Sequence, residues 1–197
     1  MLENLLGLFV LFFVIFDPFM SLSVFTVATA NMDRRERNVI AGIAVLVAGV
    51  LSLLVLLLGE NLLLIFNTNI NEFKIAGGLI LGILGIKMVL GQSITNTSEL
   101  KNNSARGIAA IIGTPLLTGP AAITAIMVSS VDYGRFVTGL AVLLVLIVTG
   151  VIFFFAHIFD KLMGKTAIQI LTTILGMINI CWGVSFVSTG IKAIFGV

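Results

Sequence analysis

Asp17 stands directly before Pro18 inside an apolar run, IFDPFMSLSVF over residues 15–25. A carboxylate in such a run can hold a cation, carry a proton, or cap a helix that begins at the next residue. Gly119-Pro120 sits inside a second run, GTPLLTGPAAITAIMV over 113–128, and Thr114-Pro115 adds an earlier weak point there. Proline removes a backbone donor and disfavours helix at the residue before it, yet it suits the first position of a new helix. Each run therefore reads as two half-helices, the second starting at Pro18 or Pro120, with Asp17 as an N-cap. Every proline of the chain, Pro18, Pro115 and Pro120, falls in these two runs. Two half-helix N-termini, with free N–H groups and positive dipole ends, would hold an anion or the carboxylate of a zwitterion. Ser21, Ser23, Thr118 and Thr124 add hydroxyls. A plain kink filled by a neighbouring helix or a water is the simpler reading, but it leaves Asp17 unexplained.

These residues need elements to hold them, and composition says which kind. Of 197 residues 59% are apolar and only 10% charged, against roughly 25% charged in a soluble domain. Six spans of about 20 residues would place about 120 residues in lipid. The balance excludes a soluble enzyme, a disordered chain, a nucleic-acid binder and a disulfide-stapled secreted domain. A net charge of +2 implies no partner. The lone Cys181 and lone His157 exclude an intrachain disulfide and a His-rich metal site, so no metal or cofactor is expected.

Six apolar spans follow, at about 5–29, 38–59, 73–91, 106–130, 136–157 and 167–191. The fold class expected is all-α: a polytopic membrane protein in one domain over 1–197. Asp17 is then the one charge near the centre of any span, where an unpaired carboxylate is costly. Ala28-Thr29-Ala30 fits a cleavage pattern, but Glu3 and the lack of early Lys or Arg argue for a retained span. Seven Lys and Arg (Arg34, Arg35, Arg37, Lys101, Arg106, Lys161, Lys165) collect on one side, and Lys87 can snorkel to join them. Three (Lys74, Arg135, Lys192) lie on the other. The first side is expected to be cytoplasmic, with both termini outside.

The polar linker 92–105 divides two halves, about 1–95 and 106–197. Pro18 and Pro120 are 102 residues apart, Gly49 and Gly150 are 101 apart, and Gly77-Gly78 and Thr172-Thr173 are 95 apart. With three spans each, the second half starts from the opposite side. That is an inverted-topology repeat, a plan common among secondary transporters. Gly78, Gly82 and Gly85 share a helix face suited to close packing, and Gly77-Gly78 also lies where it can meet the breaks. Asn179, mid-span, serves either helix contact or ligand contact. His157 reads as structural, and Trp182 carries no specific signal. The sequons at Asn96 and Asn102 fall in the linker and read as chance.

The DPF segment (15–25), the TGP segment (113–128) and IAGGLILGILGIKMVLG (75–91) resemble the motifs of the MarC family of integral membrane proteins, over nearly the whole chain. The chain looks most similar to the family's archaeal, SnatA-like branch. The resemblance implies six helices in an inverted repeat, with transport of small neutral amino acids such as glycine and alanine. Met20, Ser23 and Ala121 depart from the family pattern of Gly, Pro and Gly, which bears on the width and stiffness of the site.

The expectation is a secondary transporter with alternating access at a midplane site. Asp17, Pro18, Phe19, Met20, Ser21, Thr118, Gly119, Pro120, Ala121, Thr124, Gly77, Gly78 and Asn179 are its candidate substrate residues. Substrate carboxylate would meet the N-termini after Pro18 and Pro120, and the ammonium Asp17 or exposed carbonyls. Asp17 is alternatively the carrier of a coupling proton; sodium is the other candidate ion. The rivals are a channel or exporter for another small polar solute, an intramembrane enzyme and a membrane scaffold. The enzyme lacks a second catalytic group near Asp17, and no Walker, HExxH or serine-elbow motif is present.

Overall fold

A computed structural model describes residues 2–65, 67–92 and 105–196. Linker residues 93–104, with Lys101 and both sequons, lie outside the described residues, as do the side chains of Arg106, Pro115, His157, Lys161 and Lys165. All described elements are helical: α1 (Leu2–Phe16), α2 (Pro18–Ala28), α3 (Arg34–Ile65), α4 (Ile70–Val89), α5 (Ala105–Ile111), an irregular wide turn (Ile112–Leu117), α6 (Pro120–Tyr133), α7 (Arg135–Phe154) and α8 (Ala156–Phe195).

Among the described residues, four helical stretches are long and apolar enough to cross a membrane: Leu2–Ala28, Arg34–Gly59, Arg135–Phe154 and Thr166–Phe195. They correspond to the first, second, fifth and sixth predicted spans. The third, α4, is also 20 residues long, but it carries Glu72, Lys74 and Lys87. The fourth is divided by the turn at 112–117, which leaves α6 with 14 residues. The loop expected between spans five and six is instead helical, except at Gly164 (φ 63°, ψ 169°).

Helix starts follow from local chemistry. Asp33 Oδ1 accepts from the Glu36 N–H (2.7 Å) and Glu36 Oε2 from the Asp33 N–H (3.3 Å), a capping box before α3. Asn69 and Glu72 form another at α4, with both bonds within 3.1 Å. The Thr68 hydroxyl, 2.6 Å from Glu72 Oε2, and then the Asn69 N–H hold the Glu72 carboxyl below its ordinary range. A lowered value means that this cap persists in mild acid and is lost only as pH falls through the carboxyl's own titration. Asn69→Ala removes the side-chain acceptor and is expected to lower stability by about 1 kcal/mol, read from thermal unfolding in detergent.

The core runs through α1, α2, α6 and α7. Phe12, Phe16, Leu22, Phe25 and Phe153 are fully buried, and the rings of Phe25 and Phe153 stack at 5.0 Å, tying α2 to α7. The outer surface is apolar too. Leu46, Val50, Leu53 and Leu57 on α3, with Leu143, Ile147, Val151 and Phe154 on α7, are each about half exposed or more. Such a continuous apolar exterior suits lipid and not water.

The most extensive helix contact joins α4 to α8 in antiparallel register. A methyl group on Gly78 would stand 2.5 Å from the Gly183 carbonyl, and one on Gly85 would stand 2.5 Å from that of Gly176. One on Gly190 would stand 2.7 Å from the Asn71 carbonyl. The pairs 71/190, 78/183 and 85/176 recur every seven residues along both helices, which holds one seam at glycine width.

Candidate functional site

The backbone leaves the helix at Asp17, which adopts φ 38°, ψ 73°, a left-handed conformation that Asp and Asn tolerate better than most residues. Pro18 opens α2, and Asp17 Oδ1 accepts from the Met20 N–H at 3.1 Å. The Ser21 N–H goes to the Asp17 carbonyl at 3.1 Å. This N-terminus is therefore largely capped by its own aspartate and is less open to an anion than the sequence suggests. Asp17 is 6% exposed, and its second oxygen, Oδ2, is buried without a hydrogen-bond partner among the described residues.

The Pro120 end differs. Thr114 is extended (φ −148°, ψ 122°), as the residue before a proline tends to be. The Thr118 N–H bonds to the Gly113 carbonyl (3.1 Å), and the chain restarts as helix at Pro120. Gly119, the N-cap, has no side chain to offer, and α6 has no side-chain cap. No side chain thus caps the N–H groups at this start, of which that of Ile123 goes to the Gly119 carbonyl at 3.0 Å. α3 braces this stretch: a methyl on Gly113 would stand 2.8 Å from the Ala44 carbonyl, and the Thr118 hydroxyl donates to the Ala48 carbonyl at 3.3 Å.

Both ends line one cavity of about 180 Å³, together with Met20, Ser21 and Asn179. Asn179 is 2% exposed; its amide nitrogen makes long contacts to the Val14 carbonyl (3.5 Å) and Met88 Sδ (3.4 Å). Its Oδ1 has no partner among the described residues. Three polar features thus converge: a carboxylate oxygen, an amide oxygen and an uncapped helix start. The Ser21 hydroxyl is only loosely engaged, 3.5 Å from the Phe16 carbonyl.

Of the candidate residues, the cavity brings together Asp17, Met20, Ser21, Gly119, Pro120, Ala121 and Asn179. The others lie around it. Pro18 is buried and Phe19 packs at the edge of the core, with its ring 5.9 Å from that of Phe13. The Thr124 hydroxyl is spent on the Pro120 carbonyl (3.0 Å), and its side chain fills the space beside Gly77. Gly78 belongs to the seam with Gly183. Sequence reasoning missed Leu81, Leu84, Met88 and Ala122 in the lining. The first three sit on α4 beside residues read as packing glycines, and no side-chain type marks them.

A wider cavity of about 470 Å³ opens near the N-terminus, lined by Glu3, Gly7, Leu11, Lys74, Asp132 and Trp182 among others. Lys74 Nζ is 3.1 Å from Asp132 Oδ2 across it, joining α4 to α6. Glu3, Gly7 and Leu11 lie at successive four-residue steps on α1, and the next step, Ile15, lines the inner cavity. On α8, Trp182 lies one turn beyond Asn179. The two cavities are thus served by the same helix faces. Among the described residues no cluster of His, Cys, Asp or Glu is placed to hold a metal.

Helices of membrane-spanning length, a lipid-compatible exterior and a small, mostly apolar inner cavity with Asp17, Ser21 and Asn179 in its lining define an integral membrane protein. The sequence profile of the MarC family of integral membrane proteins matches residues 2–195, and the chain belongs to that family. A UPF0056 membrane protein of Buchnera aphidicola (subspecies Acyrthosiphon pisum) is 31% identical over 96% of this chain and 94% of its own. One of Methanocaldococcus jannaschii is 34% identical over 91% and 92%, and YhcE of Escherichia coli is 28% identical over 95% and 91%. No solved structure matches.

Proposed function

We propose that the protein is a secondary transporter of small neutral amino acids, of the size of glycine or alanine. The observation that carries this reading is the pairing of the unpartnered Asp17 Oδ2 with the uncapped start of α6 in one cavity. A zwitterion needs both an anionic acceptor for its ammonium and free N–H donors for its carboxylate. Asn179 Oδ1 is a second acceptor for the ammonium. At about 180 Å³ the cavity is below the range of about 300–1,000 Å³ typical of drug-sized ligands, which favours a solute with little side chain.

In this reading the chain is one membrane domain of six spans, arranged as two inverted three-span repeats. Its first and fourth spans are interrupted at the bilayer midplane. The seven-cation side faces the cytoplasm and both termini face out. The wider cavity near Glu3 is then the outer vestibule, and the Lys74–Asp132 pair stands at its mouth. The protein resides in the cell membrane and does transport, not catalysis. Coupling to a proton or sodium is part of the proposal, with Asp17 as the proton carrier.

The test is uptake of labelled glycine or alanine by liposomes holding the purified protein, with and without a proton gradient. Saturable uptake above protein-free liposomes is expected. Folded, correctly inserted protein that takes up neither amino acid would overturn the reading.

A further inference from the structure

At the end of the bundle where α2 turns into α3, a separate cavity of about 360 Å³ has a cationic wall and an aromatic wall. Arg34, Arg37 and Asn38, from the first turns of α3, form the first; Phe153, Phe154 and Phe155, at the corner from α7 to α8, form the second. Arg34 and Arg37 are three residues apart, so both guanidinium groups project from one helix face. Arg37 is held in place, its guanidinium 5.9 Å above the Phe25 ring, and Phe25 is itself stacked on Phe153. Its Nη2 is buried without a hydrogen-bond partner among the described residues. A buried guanidinium donor left unpaired is costly, and an anion would satisfy it. The two carboxylates of the same turn, Asp33 and Glu36, are bonded to each other's backbone N–H and do not line the cavity.

The opposite wall says what kind of anion fits. Phe153 is buried, but Phe154 and Phe155 are 57% and 45% exposed, with their rings packed edge to face at 5.3 Å. The cavity therefore grades from guanidinium to apolar ring, and the rings continue into the apolar exterior of α7. A free inorganic anion uses only the first wall. A phosphodiester that continues into acyl chains uses both. We propose that Arg34 and Arg37, with the Phe153–Phe155 corner, form a binding site for the phosphodiester headgroup of an anionic membrane phospholipid. Basic pockets between membrane helices on the Lys- and Arg-rich side are suited to such headgroups.

Full-length protein, delipidated in mild detergent and offered equal amounts of phosphatidylglycerol and phosphatidylcholine, tests this by mass spectrometry of retained lipid. The wild type is expected to prefer phosphatidylglycerol. With about 1 kcal/mol per cation near an anionic lipid, R34Q/R37Q is expected to lose about thirtyfold of that preference. Should the double variant fail to fold, R34Q alone alters only an exposed side chain and is expected to lose about fivefold. K192Q, near the C-terminus, should leave the preference unchanged. Equal retention of the two lipids by the wild type, or an undiminished preference in R34Q, overturns the proposal. Displacement of phosphatidylglycerol by millimolar inorganic phosphate also overturns it, because the site would then be one for a free anion.

Discussion

Gly78→Ala is expected to destabilise the protein by about 1–3 kcal/mol, the usual cost of forcing a methyl group into a packed contact. The added carbon would stand 2.5 Å from the Gly183 carbonyl and 2.9 Å from the Val187 N–H nitrogen, both backbone atoms that cannot rotate away. Only a shift of α4 against α8 relieves the clash, and that seam repeats at 85/176 and 71/190. Gly82→Ala, four residues along on the same helix, supplies the contrast. A methyl there meets nothing within 4 Å, so the substitution should be neutral or stabilise by up to about 1 kcal/mol through helix propensity. Thermal unfolding of both variants in one detergent separates the two cases. Equal behaviour of Gly78→Ala and Gly82→Ala would mean that the seam does not fix the distance between α4 and α8. Met88, on the same helix, lines the cavity and contacts Asn179, so a shifted seam also disturbs the site.

The sequence showed the parts of this molecule that arise from local chemistry. Proline acts on its own residue and the one before, so the helix starts at Pro18 and Pro120, and the extended Thr114, were readable from three positions. Apolar runs likewise marked the helices that the structure describes, although residues 158–166, expected as the loop between the fifth and sixth spans, are helical except at Gly164. What depended on distant partners was not legible. Sequence spacing put Gly78, Gly82 and Gly85 on one face, but only the approach of α8 separates the crowded pair from the open one. Nothing in Lys74 or Asp132 announces the other, 58 residues away. The asymmetry of the two helix starts was also missed. Both looked like open N-termini, yet Asp17 consumes donors at its own end, whereas Gly119 has no side chain to do so.

That asymmetry makes Asp17→Asn the most informative substitution at the site. Asparagine tolerates the left-handed backbone at φ 38° and keeps an Oδ1 that accepts from the Met20 N–H, so the cap survives. What disappears is the charge on the buried Oδ2, which has no hydrogen-bond partner among the described residues. A hydrogen bond to a charged group is worth about 1.5–3 kcal/mol. Uptake of glycine or alanine should therefore fall by about tenfold to 150-fold while thermal stability changes little. Asp17→Ala removes cap and charge together and should lose the same uptake plus about 0.5–2 kcal/mol of stability. Wild-type uptake by folded Asp17→Asn would leave Asp17 a capping residue alone, and the ammonium would then fall to Asn179 Oδ1. Exchange of labelled for unlabelled substrate at equal pH on both sides separates the two roles of the charge. If Asp17 contacts the ammonium, exchange and gradient-driven uptake fall together in Asp17→Asn. If it carries the coupling proton, exchange persists and only the response to the gradient is lost.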